Sequence, residues 1–142
     1  MARAWTEEWM LKQQELCKAD AEFQEEAEGY DRTVVLHVLA DPARGVDSDH
    51  FVGFNPPYMT EVWAADENRN PAVDYLIEGT YQDWWAVNEG KKGLVASLLD
   101  QSILLRSGKT SYIAMFVPAV DRFFTISRSL TDSYDGDYKP ER

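Results

Sequence analysis

The chain is poor in the residues that staple small secreted domains and build metal centres. Of its 142 residues one is cysteine, Cys17, and two are histidines, His37 and His50. A lone thiol closes no internal disulfide, which fits a reducing compartment, and no pair of these residues has zinc-site spacing. Basic residues are scarce as well. The 14 Lys and Arg stand against 25 Asp and Glu, a net charge of −11, and Lys91-Lys92 is the longest basic run. Such a field repels phosphate backbones and anionic head groups, which argues against nucleic acid and against polybasic docking on membranes. No run approaches the roughly 18 consecutive apolar residues of a spanning helix, so stable membrane insertion is not expected. Met1 to Glu8 pass straight into charge without the apolar stretch of a signal peptide, and the expectation is a cytoplasmic protein.

Aromatic surface, by contrast, is plentiful: 5 Trp, 7 Tyr and 6 Phe, within a hydrophobic content of 44%. A chain of this length buries about two-thirds of its surface, enough for a self-sufficient core. The sequence therefore predicts a single domain over residues 1–130, followed by a polar, flexible tail over 131–142.

The pattern begins with a helix from Thr6 to about Gly29. Thr6 is an N-cap, Glu7 and Glu8 suit the macrodipole, and Trp9, Leu16, Phe23 and Tyr30 recur every seven residues with Ala19 and Ala27 in the same stripe. From Thr33 the period falls to two. Thr33–Ala40 is apolar on both faces and reads as an inner strand, and His50–Phe54, Tyr58–Ala65 and Ala72–Gly79 follow. The short connections favour antiparallel pairing in a meander, with Asp66–Pro71 as one of the turns. After Gly79 the period is helical again. Thr80-Tyr81-Gln82-Asp83 opens a short helix through Val87, and a second short helix carries Leu94, Val95, Leu98 and Leu99. Ser102–Arg106 is a fifth strand. Ser111–Leu130 is a last helix that Pro118 must kink or split. The order predicts an α+β domain: a five-stranded, largely antiparallel sheet covered by helices.

Chemistry is hard to place on this frame. His37 reads as a hydrogen-bonded core histidine and His50 as part of a solvated turn. Glu61 and Glu78 read as acids facing water from an edge or outer face. Cys17 reads as an apolar filler on the first helix. Ser107-Gly108-Lys109-Thr110 ends like a phosphate loop but has Ile103 where the upstream glycine belongs. No catalytic residue, no metal and no cofactor is expected. The remaining feature is an apolar surplus after residue 80: Trp84, Trp85, Leu94, Leu98, Leu99, Ile103, Leu105, Ile113, Phe116, Val117, Val120 and Phe124. These residues either fill a core or enclose a cavity for a ligand.

The run from Asp74 to Lys109 resembles the sterol carrier protein 2 sterol-binding domain. In that family a strand ends in Gly, Ser or Thr and a helix opens with acid-Trp or acid-Phe. A glycine turn and a second short helix then lead to a basic-apolar strand ending in Gly. Ile77–Thr80, Asp83-Trp84, Glu89-Gly90, Leu94–Leu99 and Ile103–Gly108 match these parts, and Val117-Pro118-Ala119-Val120 with Phe123 is similar to the family's closing helix. Asp100-Gln101-Ser102 and Lys91-Lys92-Gly93 depart from its usual turns. The resemblance implies a non-enzymatic cavity for a hydrophobic small molecule or lipid (a fatty acid, fatty acyl-CoA, phospholipid or sterol), with the apolar surplus as its candidate lining. The little polar surface of the last helix suits it to act as a lid, with Pro118 as the weak point. Two other readings stay open. One is an accessory subunit with a filled cavity, acting through a homodimer or protein partner. The other is a small enzyme of the nuclear transport factor 2 or polyketide-cyclase type, with Glu61, Glu78 or His37 as base.

Overall fold

Val34, Val35, Leu36 and Val38 are all buried, and a strand apolar on both faces has its place in the interior of a sheet. The computed structural model, which describes residues 2–64 and 72–141, puts them there. In chain order the elements are β1 (Ala2–Arg3), α1 (Glu7–Ala19), α2 (Ala21–Glu26), β2 (Val34–Leu39), β3 (His50–Phe54), β4 (Val62–Ala64), β5 (Tyr75–Thr80), α3 (Tyr81–Asn88), α4 (Leu94–Leu99), β6 (Ile103–Ser107), α5 (Thr110–Ala114), α6 (Val117–Leu130) and β7 (Thr131–Ser133). The five-stranded sheet has the order β4-β3-β2-β5-β6, with β2 at its centre. Helices cover one face. The fold is α+β, as its periodicities indicate.

The meander holds only for β2, β3 and β4. β5 crosses to the free edge of β2 and runs parallel to it, with Val34 opposite Tyr75 and Leu36 opposite Ile77. This register puts the alternating apolar residues of both strands on the helix-covered face, which a one-residue slip would reverse. The pairs β2–β3, β3–β4 and β5–β6 are antiparallel, so the sheet is mixed but mostly antiparallel. β4 is shorter than the stretch Tyr58–Ala65. The Asn55 side chain accepts from the Glu61 amide and donates to Thr60 Oγ1, which holds the preceding residues in a turn. β5 begins at Tyr75 because Asp74 is taken up by the Thr33 amide and hydroxyl. Ala65 and the expected turn Asp66–Pro71 lie outside the described residues.

The first helix is two helices. Asp20 has extended backbone (φ −91°, ψ 108°) and its carboxylate accepts from the Phe23 amide at 2.7 Å, ending α1 and capping α2. The break rotates one segment against the other, so the seven-residue stripe does not run through. Leu16 is 40% exposed, while Trp9, Met10, Gln13 and Cys17 are buried instead. The last helix is split too. α5 ends at Ala114 and α6 starts at Val117, with Pro118 in its first turn, where its missing N–H would have had no helical partner. α6 does not lie over the domain as a lid. Ala119, Phe123, Phe124, Ile126 and Leu130 are buried, and the helix packs against α1, α2, α3 and α4.

Residues 131–141 carry more than a polar tail. β7 pairs in parallel with β1, Tyr134 and Tyr138 are buried, and Tyr138 donates its hydroxyl to Asp41. Polar composition conceals these anchors because two tyrosines among charged residues leave no periodicity to detect.

Two expected outcomes test this architecture. Asp20 caps α2 and pairs with Arg122 of α6. The hydrogen bond from Arg122, which outweighs the opposing effect of burial, holds its carboxyl below the usual carboxylate range. The folded value lies below the unfolded one, so this stabilisation is complete at neutral pH and is lost as pH falls through the folded value. Asp20→Ala should cost about 1 kcal/mol at pH 7, a few degrees of Tm. The deficit should narrow on acidification, and Asp20→Asn should retain most of the cap. A deficit independent of pH would remove the ion pair from the account. Burial, with the charge of Asp20 second, pushes the Cys17 thiol up to about 12. Iodoacetamide at pH 8 should leave the native protein unmodified over a time that labels denatured protein fully. Rapid native labelling would mean that α1 opens.

Candidate functional site

Alternation in the sheet supplies one wall of an apolar cleft. Val34 and Leu36 of β2, Phe54 of β3 and Ile77 of β5 project from the helix-covered face. The opposite wall comes from the helices: Phe23 of α2 with Ala27 and Tyr30 beyond it, Leu94 of α4, Ile113 of α5, Phe116 at the break, and Ala119, Val120, Phe123 and Phe124 of α6. Pro56 closes one side. Its loop is fixed by two glutamines, since Gln14 donates to the Met59 carbonyl at 2.8 Å and Gln24 to that of Pro57 at 2.7 Å.

No lining side chain is charged, and the Tyr30 hydroxyl is the one polar side-chain group in the wall. Burial raises the Tyr30 phenol well above its ordinary value, so it stays neutral. Phe54 stacks on Phe123 with ring centres 4.7 Å apart, and Phe116 meets Tyr30 edge-on at 4.9 Å. The void between these side chains is narrow. It measures about 50 Å³, against the roughly 300–1,000 Å³ of sites that hold small molecules.

Of the twelve residues expected to line a ligand cavity, Leu94, Ile113, Phe116, Val120 and Phe124 border this cleft. The others lie elsewhere. Trp84 is fully buried, and its Nε1 donates to the His37 carbonyl at 3.0 Å across the sheet backbone. Gly79 makes room for it, since a Cβ there would sit 3.1 Å from that indole nitrogen. Trp85 donates to the Lys139 carbonyl and holds the end of the chain. Ile103 and Leu98 belong to the core, with Leu105 packed against it. Leu99 is 72% exposed at the end of α4, and Val117 is half-buried outside the cleft. The lining contributed by Phe23, Ala27, Tyr30, Val34, Leu36, Phe54, Pro56, Ile77, Ala119 and Phe123 was not anticipated. Phe23 and Tyr30 stand in the seven-residue stripe and Val34, Leu36 and Ile77 alternate along apolar strands, patterns that a core and a cleft wall share.

The polar candidates sit away from the cleft. His37 is on the other face of the sheet, with its ring nitrogens 2.8 Å from Asp49 and 3.3 Å from Glu78, stacked on Phe51 at 4.0 Å. Glu78 also accepts from Arg106 at 2.8 Å. His50 opens β3, as the strand His50–Phe54 predicts, and its side chain is paired with Asp135 rather than solvated. Among the described residues no group of three His, Cys, Asp or Glu could hold a metal ion, and no helix is long and apolar enough to cross a membrane.

No protein-family model and no curated protein matches the chain. Solved structures do. A crystal structure of sterol carrier protein 2 superposes with a TM-score of 0.76 at 19% identity, over 89% of this chain and 98% of the other. A conserved hypothetical protein from Thermus thermophilus gives 0.79 at 18% identity, over 96% and 94%. Palmitated SCP2L2 from Aedes aegypti gives 0.56 at 10% identity, over 81% and 94%. The mixed five-stranded sheet, the broken helices on its apolar face and these superpositions together establish that the chain has the sterol carrier protein 2 fold.

Proposed function

We propose that this protein binds and transfers a hydrophobic ligand carrying a long hydrocarbon chain, without catalysing a reaction on it. The observation that carries this reading is the chemistry of the cleft wall: it offers aromatic and aliphatic surface, one neutral phenol and no charge. Such a wall discriminates by length and bulk rather than by functional group. Each methylene moved out of water contributes about 0.8 kcal/mol, so eight contribute about 6 kcal/mol with no polar contact. An acid–base reaction at neutral pH would need a group at the cleft that exchanges its proton there; the Tyr30 phenol is kept protonated by burial, and His37 and Glu78 lie on the opposite face of the sheet. The palmitate of the Aedes aegypti structure is in keeping with this reading.

The ligand-free void of about 50 Å³ must widen to admit a chain. α5 is the element suited to move. It has five residues, its following residue Met115 is 73% exposed, and only Phe116 separates that residue from α6. The lid role therefore falls to α5 and the break, while α6 stays fixed in the core.

Native mass spectrometry of the purified protein should show a co-purified lipid, or capture of palmitate added to delipidated protein. Val120→Trp places an indole at a half-buried position of the wall and should weaken palmitate binding by about tenfold or more with little change in Tm. Unchanged affinity in this variant, or wild-type protein that captures no acyl chain, would overturn the reading in favour of a filled core.

A further inference from the structure

A second groove adjoins the apolar cleft and differs from it in chemistry. Its volume is about 340 Å³, and the loop from α3 to α4 (Gly90, Lys92 and Gly93) faces α6 across it, over Val87. The α6 residues that line it are Asp121, Phe124, Thr125 and Arg128. They are spaced i, i+3, i+4, i+7, which is one continuous helix face. Two side chains belong to both sites, since Leu94 and Phe124 line the cleft on one side and the groove on the other.

Two cations, Lys92 and Arg128, line the groove beside the carboxylate of Asp121, in a protein whose net charge is −11. The Arg128 guanidinium comes close to the loop at Gly90. A Cβ at Gly90, which has φ +76°, would fall 2.3 Å from Arg128 Nη1, so this approach requires a glycine. The Lys92 ammonium is held at the rim by Asp100 and by the Ser102 hydroxyl. At Gly93 a side chain would meet nothing within 4 Å, which leaves the loop open above the groove. Asp121 stands about two helical turns from Arg128 along α6 and makes that end unfavourable for an anion.

Resting on the carrier reading, we propose that this groove receives the head group of the ligand, and that the head group is an anion, a carboxylate or a phosphate ester, held between Arg128 and Lys92. Its chain would pass over Phe124 and Leu94 into the cleft and follow α6 past Val120 to Phe116. Twelve residues of helix separate Arg128 from Phe116, about 18 Å, a length suited to a long acyl or alkyl chain. The carrier selects for charge at one end of its ligand while remaining indifferent to the detail of the other.

The test compares three probes of equal chain length on delipidated full-length protein: palmitate, hexadecyl phosphate and hexadecanol. Wild type should bind both anions more tightly than the alcohol, with affinities that fall as salt rises, whereas binding of the alcohol should not. Arg128→Gln should weaken the anions by about tenfold and leave hexadecanol within about twofold, as the loss of a charged hydrogen bond predicts. Lys92→Gln, a change at the groove rim, should do the same to a smaller extent and guards against misfolding of the Arg128 variant. Arg106→Gln, which makes the same change in net charge on the far face of the sheet, should alter none of the three. Loss of one anion alone would show which head group the groove takes. Equal weakening of all three probes by Arg128→Gln and Lys92→Gln, or equal binding of acid and alcohol by wild type, would place the head group elsewhere. Absence of binding for every probe would overturn the carrier reading itself, a result distinguishable from the others.

Discussion

The position of α6 depends on a buried hydrogen-bond network, and both the cleft and the groove depend on α6. Asn88, wholly buried at the end of α3, donates to Thr131 Oγ1 and to the Tyr134 hydroxyl and accepts from Ser127 Oγ. Thr131 Oγ1 in turn donates to the Ser127 carbonyl and accepts from Trp9 Nε1. From α1, Gln13 donates to the Phe123 carbonyl at 3.0 Å. Apolar contact alone lets a helix slide with little penalty. A network of buried polar groups does not, because each displacement leaves a donor or acceptor unpaired at about 1–3 kcal/mol. The register of α6 is thereby fixed, and with it the alignment of Val120, Phe124 and Arg128 with the loops they face.

The space beside α6 comes from two interruptions. Val34, Leu36 and Ile77 are buried, yet they also border the void. The chain turns at Asp20 and again at Phe116, and residues of the short segments α2 and α5 line the cleft together with those of α6 and the sheet. Apolar surface on either side of that void is what a core would have used to close it. The structure retains a narrow void among its apolar side chains, while the Asp20–Arg122 pair ties the α1–α2 break to α6 and two glutamines hold the Pro56 loop.

Much of the fold is legible in the sequence, and what escapes has physical reasons. The inner strand, the Thr80 cap and the interruption at Pro118 all follow from local rules, because hydrophobic period, a short polar side chain and a missing N–H act within a few residues of their cause. The parallel pairing of β5 with β2 does not, since it depends on which sheet edge remains free after β3 and β4 have paired. The break at Asp20 is marked only by a residue equally acceptable on a helix surface. At the site, the residues of α4, α5 and α6 were found because they stand in an apolar surplus, whereas Val34, Leu36 and Ile77 look the same in sequence whether they face a core or a cleft. Trp84 shows the opposite case: its size fits a ligand wall, yet its indole N–H is bonded to the His37 carbonyl of the sheet.

The parallel pairing of β1 with β7 joins the two ends of the described chain. Contacts of such sequence separation close a very long loop, and the entropy of that closure is recovered only once the intervening elements are in place. The clasp is therefore expected to form late during folding. It is also short, so it belongs among the parts of the molecule that open at lowest free energy. Thr131, at the base of β7, is the hinge between this clasp and the network that positions α6. Amide exchange at the two ends of the chain would accordingly report on the cleft wall, although neither end touches it.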